Sequence, residues 1–198
     1  MNRKSFEFSA ALLAGGRSTR MGRDKGALVI DNEPLWQRQL ATLRGTGASA
    51  IYISGRRDGP YANAGVRIIE DVTPNAGPLA ALEAILPVIA TTHVVVLAID
   101  LPAMRASFMM ALVKLALAGD CSVVPEIDGC FEPLAGIYAP SILPHVLECL
   151  HSSDRSMQGM LRKASKAQLV IAHAISPEER AFFRNLNSPQ DLATTPGE

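Results

Sequence analysis

Several features that would announce a class of protein are scarce or missing from this chain. Three cysteines, Cys121, Cys130 and Cys149, occur in 198 residues, an odd number with no C-x-x-C pair. That pattern argues against a disulfide framework or a zinc site and leaves buried, reduced thiols as the expectation. The four histidines (His93, His145, His151, His173) lack H-E-x-x-H or any paired spacing, so they read as surface or packing residues. Nineteen basic and nineteen acidic residues cancel, which removes any general pull toward nucleic acid or a membrane surface. No apolar run approaches the roughly 20 residues that span a bilayer. The stretch Phe6–Leu13 is short and broken by Glu7, so it is no signal-peptide core. A cytoplasmic protein, free of nucleic acid and membrane, is the expectation.

What is present is a packed-core composition. Hydrophobic residues make up 48% and charged residues 19%, outside the range of disordered chains. The length suits one domain, residues 1–198, with the last six (193–198) as a loose tail.

The charge that cancels overall is concentrated locally. An apolar run of Phe6, Phe8 and Ala10–Leu13 reads as a buried first strand, and it passes into Ala14-Gly15-Gly16-Arg17-Ser18-Thr19-Arg20-Met21-Gly22-Arg23-Asp24-Lys25. Four cations there face one acid. Glycines let backbone N–H groups approach a ligand, and arginine and lysine balance negative charge, so the simplest partner is a polyphosphate. A Gly/Arg loop taken alone also reads as a solvated turn; its position directly after a strand and its density of cations favour the ligand. It is not a P-loop, because Lys25 is followed by Gly26 rather than Ser or Thr. Nor does Gly15-Gly16 supply the G-x-G-x-x-G of a dinucleotide site, which disfavours a dehydrogenase.

The rest of the chain alternates strands and helices. Ala27–Ile30 reads as a short strand and Asp31-Asn32-Glu33 as a turn; Pro34 opens a helix through Leu35, Trp36, Leu40 and Leu43 that stops at Gly45 and Gly47. Trp36 reads as core. Strands follow at Ala50–Ile53, ending in Ser54-Gly55, and at Val66–Ile69, ending in Glu70-Asp71. The loop 73–78 leads into an alanine–leucine helix from about Leu79 to Ala90, whose N-terminus offers free N–H groups. His93–Ile99 is a continuous apolar strand of the kind buried on both faces of a parallel sheet. It ends in Asp100-Leu101-Pro102. By itself that tripeptide is a turn; beside a polyphosphate loop, Asp100 becomes the first candidate for a Mg²⁺ ligand, since magnesium takes one or two carboxylates together with phosphates and water. A helix over Ala106–Ala118, a strand over Cys121–Pro125, a hairpin turn at Asp128-Gly129 and a returning strand over Phe131–Tyr138 come next. Helices over Ser141–Leu150 and through Met157, Met160 and Leu161, a strand over Gln168–Ala172, and a helix start at Asn187-Ser188-Pro189 complete the reading. The expected fold is α/β: a doubly wound, mostly parallel, Rossmann-like sheet with a small antiparallel insertion at 121–139.

The loop wording resembles that of the sugar-nucleotide and cofactor nucleotidyltransferases, L-A-[GA]-G-x-S-x-R-M-G-x-D-K, which Leu13 to Lys25 matches throughout. The Gly-Gly and Asp-Lys pairs are similar to the molybdenum cofactor guanylyltransferase branch. The likeness continues through Glu70-Asp71, Gly77-Pro78-Leu79, Ile99-Asp100-Leu101-Pro102, Glu132-Pro133-Leu134 with Tyr138, and Asn185-x-Asn187-Ser188-Pro189. What the resemblance implies is a Mg²⁺-dependent transfer of GMP from GTP to molybdopterin with release of pyrophosphate. It implies a nucleotide site of Leu13, Ala14, Gly15, Gly16, Arg20, Lys25, Ser54, Asp71, Gly77, Pro78, Leu79 and Asp100. Arg20, Lys25 and Asp100 would carry catalysis, Asp100 would hold the metal, and Arg155, Asn185 and Asn187 would face the pterin. Transient contact with other cofactor-biosynthesis proteins or apo-molybdoenzymes belongs to the same expectation. Ile99 stands where the family often has Cys, and Glu132 where it usually has Gln. A cytidylyltransferase on the same pterin, a sugar-phosphate nucleotidyltransferase and a non-catalytic nucleotide sensor stay open beside the guanylyl reading; Gly15, where cytidylyl relatives usually have Ala, favours guanine.

Overall fold

The computed structural model describes residues 7–15 and 27–186. Among the described residues the chain builds ten strands, β1 (Ser9–Leu13), β2 (Val29–Ile30), β3 (Glu33–Pro34), β4 (Ala50–Ser54), β5 (Arg67–Ile69), β6 (Val94–Ala98), β7 (Ser122–Ile127), β8 (Cys130–Phe131), β9 (Ala135–Tyr138) and β10 (Val170–Ala174). Five α-helices accompany them: α1 (Leu35–Arg44), α2 (Pro78–Ile85), α3 (Ala106–Gly119), α4 (Leu143–His151) and α5 (Met157–Lys166).

The main sheet runs β10-β7-β9-β6-β1-β4-β5, with β8 added to β7. β1 pairs in parallel with β4 on one side and β6 on the other, and only β8 and β9 run against the rest. The sheet divides the interior in two. Ala10 and Leu12 of β1, with Phe8 just before it, pack with α1 and α3; Ala11 and Leu13 pack with α2, α4 and α5. All five β1 residues are buried, as a strand covered on both faces requires. Residue 9 to residue 13 therefore shows no alternation of polar and apolar types. From β1 the chain moves outward through β4 and β5, then crosses to the far side of β1 for β6. The order reverses between β1 and β6, the place where open α/β sheets form a crevice at their strand C-termini.

Several local expectations change in the structure. The strand foreseen over Ala27–Ile30 shortens to β2, which pairs antiparallel with β3 across Asp31 and Asn32, both at positive φ (50° and 63°). Pro34 ends that hairpin and serves as the residue before α1 rather than its first turn. α2 stops at Ile85, short of Ala90, because Pro87 cannot supply the N–H that another turn needs. The return strand over Phe131–Tyr138 is broken at residues 132–134. Its first piece, β8, closes a two-residue hairpin over Asp128 and Gly129 (φ 51° and 78°); its second, β9, leaves the hairpin and inserts between β6 and β7. The antiparallel insertion is thus inside the main sheet. Cys121 and Cys149 are buried, but Cys130 is exposed, because its place in β8 lies at the end of the hairpin. The expected helix start at residues 187–189 and the tail lie outside the described residues.

Candidate active site

The strand register brings Leu13, Ser54 and the end of β6 that leads to Asp100 to one edge. Leu13 stands level with Ser54 of β4 and with Ala98 of β6. The Ala14 N–H donates to the Ser54 carbonyl (2.8 Å), and the Ile99 N–H donates to the Leu13 carbonyl (3.1 Å). The cationic loop therefore begins, and Asp100 follows, at neighbouring strand ends. Gly15 is exposed at that edge, and among the described residues a Cβ built on it would meet only Gly55 Cα and the Ser54 carbonyl, both at the ordinary contact distance of 3.7 Å. Among the described residues no contact requires glycine at position 15. Gly16, Arg20 and Lys25 lie outside the described residues.

On the β4 side, the buried Ser54 hydroxyl donates to Asp71 Oδ1 (3.4 Å). Asp71 lies on an exposed loop, yet its carboxyl is held above the usual carboxylate range, first by desolvation and then by repulsion from Glu83; the Ser54 hydroxyl works in the opposite direction. Glu83 of α2 accepts the Thr73 N–H (3.1 Å), which ties the loop over 71–77 back to the helix that it feeds. Gly77 precedes that helix at φ 62°, a conformation costly for any residue with a Cβ, and Pro78 takes its first turn. Leu79 is fully buried in the core around α2. Its side chain packs; what residue 79 can present to a ligand is its backbone N–H in the first helical turn.

On the β6 side, Asp100 is half-buried, and its carbonyl accepts the Leu186 N–H (3.0 Å). Leu186 is anchored in the core, so the preceding Asn185, which is exposed, sits beside the Asp100 turn. The Leu134 carbonyl accepts the Ala98 N–H (2.7 Å), which brings Glu132-Pro133-Leu134 to the same edge. Tyr138, fully buried, donates its hydroxyl to the Pro133 carbonyl (2.6 Å), and this contact is what couples Tyr138 to the Glu132-Pro133-Leu134 block. Glu132 is half-buried, and desolvation raises its carboxyl above the ordinary range. Arg155 is exposed one residue before Ser156, whose hydroxyl caps α5 by accepting the Gly159 N–H (3.0 Å). Asn187 falls outside the described residues.

Three supporting residues escaped the sequence reading. Gln39 is fully buried on α1, between Leu35 and Leu43 on the apolar stripe; a polar residue at that spacing was the available signal. Tyr61 fills the space beneath Gly55 and Gly59, and its hydroxyl accepts the Arg56 N–H (2.9 Å), shaping the loop after β4. Two glycines within six residues of a tyrosine were its signal. Gln158 of α5 uses both ends of its carboxamide on Phe131, accepting the N–H (3.1 Å) and donating to the carbonyl (2.7 Å), so α5 holds the chain that leads to Glu132. Nothing in the spacing foretold that long-range pair.

The edge thus joins hard oxygen groups, exposed backbone and the start of a glycine-rich loop, around the β1/β6 switch point. The family model described as the MobA-like NTP transferase domain matches residues 10–169. The chain belongs to the MobA-like NTP transferase family. This transferase is 36% identical over 194 residues to the probable molybdenum cofactor guanylyltransferase of Opitutus terrae, covering 96% of each chain. It is 30% identical to the molybdenum cofactor guanylyltransferase of Pseudomonas putida, over 93% of this chain and 95% of that one. In structure it is similar to molybdopterin-guanine dinucleotide biosynthesis protein A from Archaeoglobus fulgidus, with a TM-score of 0.76 at 23% identity over 93% and 95% of the two chains. That last likeness concerns the fold: a mostly parallel sheet between helices, which this transferase shares. Among the described residues no helix is long and apolar enough to cross a membrane.

Proposed function

We propose that this transferase moves GMP from GTP to the terminal phosphate of molybdopterin. A phosphate oxygen of the pterin attacks the α-phosphorus of GTP; the bond from that phosphorus to the oxygen bridging the α- and β-phosphates breaks, and pyrophosphate leaves with the electron pair. The acceptor is already an anion, so no strong base is needed. The barrier is repulsion between anions and charge growing on the leaving group, which positioning and charge neutralisation lower. The relatives' names support the guanylyl and pterin parts of this reading. The observation that carries the transfer site is the level register of Leu13, Ser54 and Ala98, which starts the cationic loop and Asp100 from adjacent strand ends.

In this reading Leu13, Ala14 and Gly15 hold guanine and ribose, with Ser54 and Asp71 on the flank, and the start of α2 presents the backbone N–H groups of Gly77 and Leu79, with Pro78 between them shaping the turn. Arg20 and Lys25 neutralise phosphates. Arg155, Asn185 and Asn187 face the pterin. The donor suits a hard cation: the half-buried Asp100 offers a carboxylate at the β6 end, and it would share an ion with substrate phosphates and water, the habit of Mg²⁺. When bound, Mg²⁺ supplies charge stabilisation at the phosphates.

The test is to incubate the protein and Mg²⁺ with each of the four NTPs, with and without molybdopterin, and follow pyrophosphate. Release that needs both GTP and molybdopterin is expected. Release with CTP in place of GTP makes the enzyme a cytidylyltransferase, and release with a sugar phosphate in place of the pterin moves it to the sugar-nucleotide branch. No release with any pair overturns the transfer.

A further inference from the structure

We infer that Gln39 is a positioning residue for Asp100: its buried carboxamide spans the turn that carries this carboxylate and sets where it stands. Gln39 has no exposed surface. Its Nε2 donates to the Ala98 carbonyl (3.4 Å) and, more closely, to the Leu101 carbonyl. Those two acceptors bracket Ile99 and Asp100, so one side chain from α1 grips the turn on both sides of the carboxylate. Two carbonyls also decide which end of the amide points at them, because only the NH₂ can donate. The other end, Oε1, is buried with no hydrogen-bond partner among the described residues. A lost partner for a buried polar atom is costly, and leucine on the same apolar stripe would avoid that cost. Keeping glutamine, with its acceptor unsatisfied, makes sense only if its two donated bonds do something that leucine cannot. What they do here is hold the β6 end and the Asp100 turn to the helix beneath.

This inference rests on the reading of Asp100 as the cation-holding carboxylate, and the experiment separates the two. GTP affinity is measured by calorimetry without metal and with Mg²⁺ for the unaltered protein, Gln39→Leu, Asp100→Asn and the double variant, each checked for native circular dichroism. The ratio of the two affinities is the gain due to Mg²⁺. Asp100→Asn is expected to abolish that gain. Gln39→Leu should leave metal-free affinity within about twofold and cut the gain about tenfold, equivalent to about 1.4 kcal/mol. The double variant should match Asp100→Asn alone, as expected if glutamine acts only through the aspartate. If Gln39→Leu does not fold, Gln39→Met keeps the length and gives the same comparison. An unchanged gain in the glutamine variants, or a further loss of affinity in the double variant, overturns the positioning role and leaves Asp100 in place. A full gain in Asp100→Asn overturns the reading of Asp100 and the inference with it.

Discussion

The two edges of the one sheet treat polar groups in opposite ways. At the strand N-termini the polar side chains turn on one another. Thr91 Oγ1 is within 2.9 Å of both Ser9 Oγ and the His93 carbonyl, the Ser49 hydroxyl donates to the Phe8 carbonyl, and the Ser122 hydroxyl accepts the Ala139 N–H (3.0 Å). Ser9, His93 and Ser122 are all buried. At the C-termini, Gly15, Asp71 and Asn185 are exposed, Asp100 and Glu132 are half-buried, and the Asp71 and Glu132 carboxyls are raised, chiefly by desolvation. The same strands run through both ends. The closed edge ties its polar groups to one another, while the open edge, among the described residues, leaves acids desolvated and backbone exposed, which the proposed function uses to meet a ligand.

That contrast breaks first at Asp100. Asp100→Ala is expected to lower turnover by roughly a thousandfold, on the scale of losing one transition-state contact, with the thermal midpoint unchanged. A steady-state pyrophosphate assay near normal would remove Asp100 from the open edge's chemistry. At the closed edge the outcome should invert. Ser122→Ala strands a buried N–H at Ala139 and should cost about 1–3 kcal/mol, lowering the melting temperature by several degrees while kcat/KM holds. Thermal unfolding and a kinetic assay on the same sample check both halves.

Gly15→Ala sharpens the comparison within the open edge. Room exists for the methyl, so stability should stay the same, whereas the preference for GTP over CTP should shift about tenfold, the usual worth of one methyl in a pocket. An unchanged preference would detach Gly15 from the base. The smallest effect is in pH dependence. Burial holds the His93 imidazole below its ordinary range, against the raising pull of the Cys121 backbone and Asp120. The unfolded chain therefore binds the proton more readily, and stability falls as pH drops below about 6.5. Glu132 and Asp71 have the opposite sign: their folded carboxyls bind protons more readily, so stability falls as pH rises through the range between their ordinary and raised values. His93→Gln should flatten the first slope and Glu132→Gln the second, read from denaturant midpoints across pH 4 to 8.

Much of this was legible before any coordinates. The buried β1 and β6 are continuous apolar runs, and Asp100 and Ser54 each stand where such a run ends. Other features were hidden because their causes are non-local. The break between β8 and β9 answers to Tyr138 holding the Pro133 carbonyl and to a vacancy beside β6, neither of which leaves a local mark. Gln158 reaches Phe131 across 27 residues, and Gln39 reaches Ala98 across 59. Leu79 was expected at the nucleotide; its side chain packs in the core, because helix phase, not its place in a motif, directs a side chain, and this leaves the backbone N–H as what residue 79 can present there.

What the sequence by itself determined was the list of parts: apolar runs that must be buried, glycines and prolines that must turn, and a knot of cations in a neutral chain. Those are local consequences of sterics and of water's aversion to apolar surface. Only the tertiary structure decided which strand ends stand level, which acids share an edge, and which buried amides grip them. Register and crossover are settled by packing between residues far apart in the chain, and no short window of sequence contains that energy.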